Sequence, residues 1–426
     1  MNCIRKTNSL FLLAIILLLC LMVNANYCCA GDFDLRGSIG VDEEYNDNIF
    51  LLRSKKIDDF ITRVRPVVDL KYRINEKNYF ETSYSGEAIF HRKSTPYVND
   101  EIRHTLDSRL QIVPLNNVVL FLKDNYSEIP IDTREPDRFK GRNRNLTGKN
   151  DFNISLSYLR DYTATINTEI KAYYDDIKIN SDSINNKETV GGSLQLNKII
   201  SNKTSIFGKV IAESVNQSIA SDYDLMSYQG GLTYDQLKKL KLFFTGGVVN
   251  KDYKTAKNLD EFFLEANGEY AILQNLYLTG SFKKGFEDNE ERRDAKKNAY
   301  ELKNFTVGLE YRLTGNGVIN VSGFTNKKDF KQVNRMDKSK GLEIDGNIFF
   351  TKLMSFMFNV NYSKSKFLSE EQDRNDKTLL LGCGIFFHPF SWLQTGVRYL
   401  RTNRNSNINI RDYIVNRYTY NITLLF

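Results

Sequence analysis

Charged residues recur in this chain at even intervals. Arg63 and Arg65 are followed by Asp69, Glu81 by Glu87, Glu265 by Glu269, and Glu310 by Arg312. On an extended backbone, residues separated by an even number project from the same side. Each set therefore forms a charged stripe on one face of a strand. Two kinds of chemistry suit such stripes: lining a water-filled pathway for ions or polar solutes, and bracing a wall by cross-strand ion pairs. The signs are mixed, so neither cation nor anion preference follows, and a wet interior needs polar walls whatever passes through it.

Other chemistry finds no support. His91, His104 and His388 lie too far apart for metal-ligand spacing and are read as loop or rim residues. No Ser/His/Asp arrangement or phosphate-binding glycine loop occurs, so no enzyme, cofactor or metal site is expected. Glu290 and Glu291, followed by Arg292 and Arg293, read as a solvated external loop, with calcium or lipopolysaccharide contact as the sharper alternative. Lys140, Arg142 and Arg144 form a basic loop patch that could meet acidic glycan or lipid phosphate. A net charge of +7, from 59 basic and 52 acidic residues scattered over 426, leaves no electrostatic footprint for nucleic acid.

The N-terminus sets the compartment. Arg5 and Lys6 precede an apolar run over residues 10–23, and Ala25 and Ala30 offer cleavage positions after it. This is the three-part pattern of a secretory signal peptide. Residues 1–30 are expected to be removed and residues 31–426 to form the mature domain. Cleavage after Ala30 removes Cys3, Cys20, Cys28 and Cys29, and the remaining Cys383 cannot form an internal disulfide. No CxxCH motif is present, which excludes covalent haem.

The elements that carry the stripes read as strands. Phe80, Thr82, Tyr84, Gly86, Ala88 and Phe90 share one face, with Glu81, Ser83, Ser85 and Glu87 on the other. The same alternation runs through Val64, Pro66, Val68, Leu70 and Tyr72, and again through Phe262, Leu264, Ala266, Gly268 and Tyr270. It returns in Phe305, Val307, Leu309 and Tyr311, and in Phe356, Phe358, Val360 and Tyr362. This is strand periodicity. The polar faces are charged, aromatics sit near strand ends, and many segments reach the nine to eleven residues that a tilted strand needs to cross a bilayer. Short connections near residues 74–77, 114–117, 160–163 and 200–203 alternate with long polar ones near 44–57, 91–100, 130–146 and 178–186, and the pattern continues, with long connections at 326–339 and 366–376.

The expected fold is all-β: a closed antiparallel transmembrane β-barrel of about twenty strands, with eighteen or sixteen as the other even counts. Short turns face the periplasm and longer loops the outside. Closure follows from the solvent, because an open sheet edge in hydrocarbon leaves backbone groups without partners. Pro66 removes one ladder bond and is expected near the periplasmic rim or at a bulge. In the last strand Tyr418, Tyr420, Ile422, Leu424 and Phe426 share one face and end on an aromatic. A terminal aromatic of this kind resembles the signal read by outer-membrane barrel-assembly machinery.

The opening reads GSIGVDEEYNDNIF over residues 37–50 and ITRVRPVVDLKY over 61–72. It resembles that of the β-barrel porins found beside exopolysaccharide-export genes. In that family an early strand leads to a loop with a small acidic and Asn motif, here Asn46, Asp47 and Asn48, and the next strand carries a proline, here Pro66. The resemblance implies a cell outer-membrane location in a Gram-negative bacterium, contact with membrane lipid and lipopolysaccharide, and a link to exopolysaccharide-export components. Asn46, Asp47 and Asn48 are expected to serve a turn rather than a ligand. The function expected is a porin-like channel passing solutes or glycan-related material. A non-conducting structural or assembly barrel and a lipid-modifying enzyme are the other classes.

Overall fold

In the computed structural model the chain forms one antiparallel sheet of twenty strands that closes on itself. The structure describes residues 31–93, 101–130, 139–140, 143–144, 146–180, 186–218, 221–236, 239–255, 258–288, 299–313, 315–330, 335–368, 373–408 and 411–426. The signal segment at 1–30, Arg142 and the quartet at 290–293 lie outside them.

In chain order the strands are β1 (Asp32–Asn46), β2 (Asp59–Arg73), β3 (Tyr79–His91), β4 (Glu101–Leu115), β5 (Val118–Pro130), β6 (Phe139–Lys140), β7 (Asn143–Arg144) and β8 (Leu146–Thr163). Then come β9 (Ile166–Ile179), β10 (Lys187–Ser201), β11 (Thr204–Gln217), β12 (Tyr223–Gln236), β13 (Leu240–Tyr253), β14 (Leu259–Leu273) and β15 (Leu276–Asp288). The last are β16 (Ala299–Leu313), β17 (Gly317–Phe330), β18 (Arg335–Thr351), β19 (Met354–Leu368), β20 (Arg374–Phe390), β21 (Leu393–Ser406) and β22 (Tyr413–Leu425). Each barrel strand pairs with the next in sequence, and β1 pairs with β22 to close the ring. Strands β6 and β7 form a two-residue ladder inside one loop, so β5 pairs directly with β8.

Alternation decides which face is which. On β1, Phe33, Leu35, Ile39 and Val41 are exposed, whereas Asp42, Glu44 and Asn46, on the opposite face, are buried. Cross-strand partners share a face, so Ile39 lies beside Leu424 and Val41 beside Ile422 in the outer belt. That belt continues through Leu242, Phe244 and Val248 on β13 and through Phe262 and Tyr270 on β14. An apolar outside with a polar inside is the inverse of a water-soluble barrel and matches hydrocarbon as the outer solvent.

The short connections are the expected tight turns, such as residues 116–117, 164–165 and 202–203. Two of the long connections are shorter than the sequence pattern suggests. Strand β17 runs to Phe330 and β18 begins at Arg335, so most of 326–339 is paired backbone. The 366–376 region is likewise largely strand, with β19 ending at Leu368 and β20 starting at Arg374. Polar composition marks where the chain leaves hydrocarbon, while ladder pairing carries on into water.

Pro66 sits halfway along β2, neither at the periplasmic rim nor at a bulge. The β2–β3 ladder keeps its register but lacks pairings at Arg65 and Pro66, between Val64↔Ala88 and Val67↔Ser85. The missing amide hydrogen falls in that gap. Opposite it, a Cβ on Gly86 would approach Pro66 Cγ to 3.2 Å, so glycine makes room for the ring.

The ring closes at two levels. At the periplasmic end Gly37 N donates to Phe426 O (2.7 Å) and Phe426 N to Gly37 O (2.9 Å). A Cβ at Gly37 would meet Phe426 Cζ at 2.8 Å, which explains the small residue. At the extracellular end the junction is made by Asn46, Asp47 and Asn48, described next.

Candidate functional site

All nine charged residues singled out by spacing lie on the face opposite the exposed apolar one. The register shows it: Arg63 pairs with Asp42, Arg65 with Gly40, Asp69 with Arg36, Glu265 with Thr245, Glu269 with Lys241, and Glu310 with Asn320. Three of them, Arg63, Arg65 and Glu87, come together in one ion-pair network.

Glu87 is the hub of that network. Its carboxylate meets Arg65 Nε at 3.4 Å, Arg103 Nη1 at 3.5 Å and Arg63 Nε at 3.8 Å. Arg63 also donates to Glu44 at 2.9 Å and Arg65 pairs with Asp42, while Arg103 reaches Glu101 at 3.6 Å and Glu128 at 3.7 Å. The charges therefore alternate from β1 to β5. Arg398 and Arg417 border the same cavity as Asp42, Glu44, Arg63 and Arg65, extending the charged wall across the β1–β22 junction. Arg65 and Glu87 meet on the inner face beside the gap in the ladder at Pro66.

A second group lies toward the periplasmic end. Glu269 approaches Arg312 Nη2 at 3.7 Å and Lys241 Nζ at 3.8 Å, and Glu310 pairs with Arg312. The Arg312 guanidinium lies 4.0 Å from the Tyr277 ring centroid. Of the remaining three, Glu81 pairs with Lys71, and Glu265 accepts a hydrogen bond from Asn267 at 3.0 Å. Asp69 sits opposite Arg36, whose guanidinium turns to Asp34 at 2.6 Å.

Sequence reasoning missed the other half of this arrangement. Asp42, Glu44, Glu101, Arg103, Glu128, Arg398 and Arg417 were not singled out. A signal for the first two existed, since pairing 37–46 with 61–72 as a hairpin puts Asp42 opposite Arg63. Also missed are apolar clusters where the inner wall nears the loops: Val215, Tyr223 and Tyr253 form one, and Tyr300, Leu302 and Phe330 another. Cations cover these rings, with Lys251 at 4.5 Å from the Tyr223 centroid, Lys328 at 4.8 Å from Tyr300 and Arg335 at 4.1 Å from Phe330. Nearby, Asp376 accepts from Arg404 at 2.5 Å and forms an ion pair with Arg374, whose Nε lies 3.1 Å away. Because Val215, Tyr223 and Phe330 are almost wholly buried, they pack the hairpins together and are not available to a ligand.

The Asn46, Asp47 and Asn48 motif joins the first loop to the last strand. Asn48 is fully buried; its Nδ2 donates to Leu52 O (2.8 Å) and Ile414 O (3.0 Å), and its Oδ1 accepts from Leu52 N (2.8 Å). Asp47 accepts from the backbone N of Asn416 (2.7 Å) and from its Nδ2 (2.6 Å). The motif is structural, as expected, although it closes the ring rather than only shaping a turn. In the same loop Leu51 and Lys55 take positive φ values of 53° and 54°.

The histidines divide. His91 ends β3, buried against Asp59 with Nδ1···Oδ2 at 2.9 Å, so the rim reading holds for it. Beside it Lys93 Nζ donates to Asp58 (2.7 Å), which holds the Asp58 carboxyl below its usual range. His388 lies in β20 close to the periplasmic turn. His104 is a correction: it sits within β4 on the outer face, stacked on Tyr84 with Tyr84 Oη and His104 Nδ1 2.8 Å apart. Its polar neighbours in sequence suggested a rim, but the partner hydroxyl satisfies the ring on the lipid side. Among the described residues no group of three His, Cys, Asp or Glu is placed to hold a metal ion.

No family model and no curated protein matches the sequence. Solved structures do match. The siderophore receptor PirA of Acinetobacter baumannii aligns with a TM-score of 0.53 at 10% identity, over 92% of this chain and 80% of that one. The ferric enterobactin receptor PfeA of Pseudomonas aeruginosa gives 0.52 at 9%, over 92% and 81%. The FrpB iron transporter of Neisseria meningitidis gives 0.51 at 9%, over 92% and 82%. The chain has the fold of an outer-membrane β-barrel. At these identities the likeness concerns fold alone.

Proposed function

We propose that the barrel is a passive channel whose polar interior passes hydrophilic solutes, with Arg63, Arg65, Asp69, Glu81, Glu87, Glu265, Glu269, Glu310 and Arg312 along its wall. One observation carries the reading. Among the described residues, substantial contacts between strands run only between those paired in the ladder, so no strand crosses the interior, and the first loop covers only the rim of the inner wall, where Ile49 and Phe50 pack on Ile61 and Ile89. Side chains from twenty strands are too short to fill so wide a ring. Six of these nine charges, Arg63, Arg65, Glu81, Glu87, Glu269 and Arg312, are paired across strands while staying partly exposed, which suits transit better than tight capture.

The resemblance of the opening residues to porins near exopolysaccharide-export genes supports glycan-related material as one cargo and export components as partners. The outer face of the last strand, with Tyr418, Tyr420, Ile422, Leu424 and terminal Phe426, serves on this reading as the signal for the assembly machinery. The segment 1–30 is the export signal, leaving 31–426 as the barrel domain. Liposome swelling with uncharged oligosaccharides of increasing size tests the proposal. Swelling with a sharp size cut-off supports it, whereas vesicles that hold a folded barrel and never swell count against it.

A further inference from the structure

We propose that the outer face of β15–β20, at the extracellular edge of the apolar belt, binds the phosphate groups of outer-leaflet glycolipid. The register places lysines directly opposite one another. Lys284 lies beside Lys303, Lys303 beside Lys327, Lys327 beside Lys338, and Lys338 beside Lys366, a row of five across five strands. A second row joins Lys340, Lys364 and Lys377. These residues share the outer face with Phe282, Phe305, Tyr362 and Leu379.

Like charges facing each other across a ladder destabilise it. Three of the eight have carboxylate partners within the protein, Lys284 and Lys303 sharing Glu301 (3.8 and 3.0 Å) and Lys327 pairing with Asp329 (2.9 Å). Lys338, Lys340, Lys364, Lys366 and Lys377 are exposed, and no carboxylate lies within ion-pair distance of them among the described residues. Neighbouring strands are about 4.8 Å apart, so one phosphate can accept from ammonium groups on two strands.

Position identifies the anion. On β19 the outer face runs Phe356, Phe358, Val360 and Tyr362 before Lys364 and Lys366; on β20 Lys377 precedes Leu379 and Leu381. The ammonium groups thus begin where hydrocarbon ends, on the side of the long loops, at the depth of the outer-leaflet headgroups. The rim is not uniformly basic, and Lys178 on β9 is already paired with Asp176 at 2.6 Å. At the same level β9–β14 carry Asp176 beside Glu188 and Asp224 beside Asp252. The basic arc therefore marks one sector of the wall for an anionic lipid.

The test uses the full barrel and a variant with Lys338, Lys340, Lys364, Lys366 and Lys377 each changed to Gln, alongside a control changing Lys198 and Lys352 near the periplasmic turns. Bis-phosphorylated lipid A and its dephosphorylated form are titrated into the folded proteins in detergent, and bound lipid is counted by native mass spectrometry. The proposal predicts that wild type and control prefer the phosphorylated lipid and that the five-site variant binds it at least about tenfold more weakly. Urea stability supplies a sign reversal that misfolding cannot mimic. In lipid-free detergent the variant is at least as stable as wild type because repulsion is relieved, and in phosphorylated lipid it is less stable. Equal binding by all three proteins would overturn the proposal. So would a lipid-free wild-type dimer that the five substitutions abolish, since the arc would then face the acidic sector of a second copy.

Discussion

Replacing Glu87 by Gln keeps the side-chain shape and removes one charge from the centre of the inner network. Three arginine nitrogens lie 3.4, 3.5 and 3.8 Å from its carboxylate. Each contact contributes about 1 kcal/mol in a water-like dielectric and about 4 kcal/mol at an effective value of 20. The side chains are between 18% and 48% exposed, so the lower figure governs, and a gross gain of about 3 kcal/mol is reduced by the cost of desolvating Glu87. The arginines keep Glu44, Asp42 and Glu101, so no guanidinium is stranded. The expected loss is about 2 kcal/mol at low salt, shrinking by more than half at 1 M salt, where the screening length is about 3 Å. The assay is urea unfolding in lipid vesicles, followed through Trp392, the one tryptophan of the chain, which stacks on Phe390 near a periplasmic turn. Adding Arg103→Gln closes a double-mutant cycle with a coupling of about 1 kcal/mol. A Glu87→Gln barrel as stable as wild type at low salt, or a loss that ignores salt, would refute the hub.

Three further perturbations follow from the same geometry. Asn48→Ala leaves Leu52 N and Ile414 O without their partner, costing about 2 kcal/mol and opening the first loop to limited proteolysis near Lys55 and Lys56, with the barrel still inserted. Asp222 is held below its usual carboxylate range by the Gln217 amide (2.8 Å) and then by Lys254 (3.3 Å). Its contribution is complete above pH ~4, the unfolded value, and disappears as pH falls through the lower folded value. Exchange of the Gln217 amide hydrogen, corrected for intrinsic rate, should therefore rise at pH ~2.5 and stay flat from ~5 to ~8. Deleting Phe426 removes both backbone bonds to Gly37 and the terminal aromatic, so the yield of membrane-inserted, heat-modifiable barrel in cells should drop several-fold while the same chain refolds in detergent.

The belt and the strand count were legible because period-two alternation is a local property of each segment: Phe262 and Tyr270 announce the outer face whatever they pair with. Register is not local. It decides that Glu87 meets three arginines while Asp69 faces an arginine already turned to Asp34, and no spacing within one strand contains that information. Pro66 was legible as a ladder defect and misplaced in depth, because the room its ring needs is supplied by Gly86 on another strand. The projecting parts of β17–β20 were read as loops since their lysines and aspartates look solvated, which they are, on paired backbone. The lysine rows became visible only when separate hairpins were laid side by side.

Single-channel recording from the refolded barrel in a planar bilayer tests the central claim most directly. An open interior predicts long-lived, ohmic conductance steps that scale with bulk salt, with a reversal potential that shifts toward anions in Glu87→Gln. A barrel shown to be folded and inserted that stays silent at every salt concentration would contradict it.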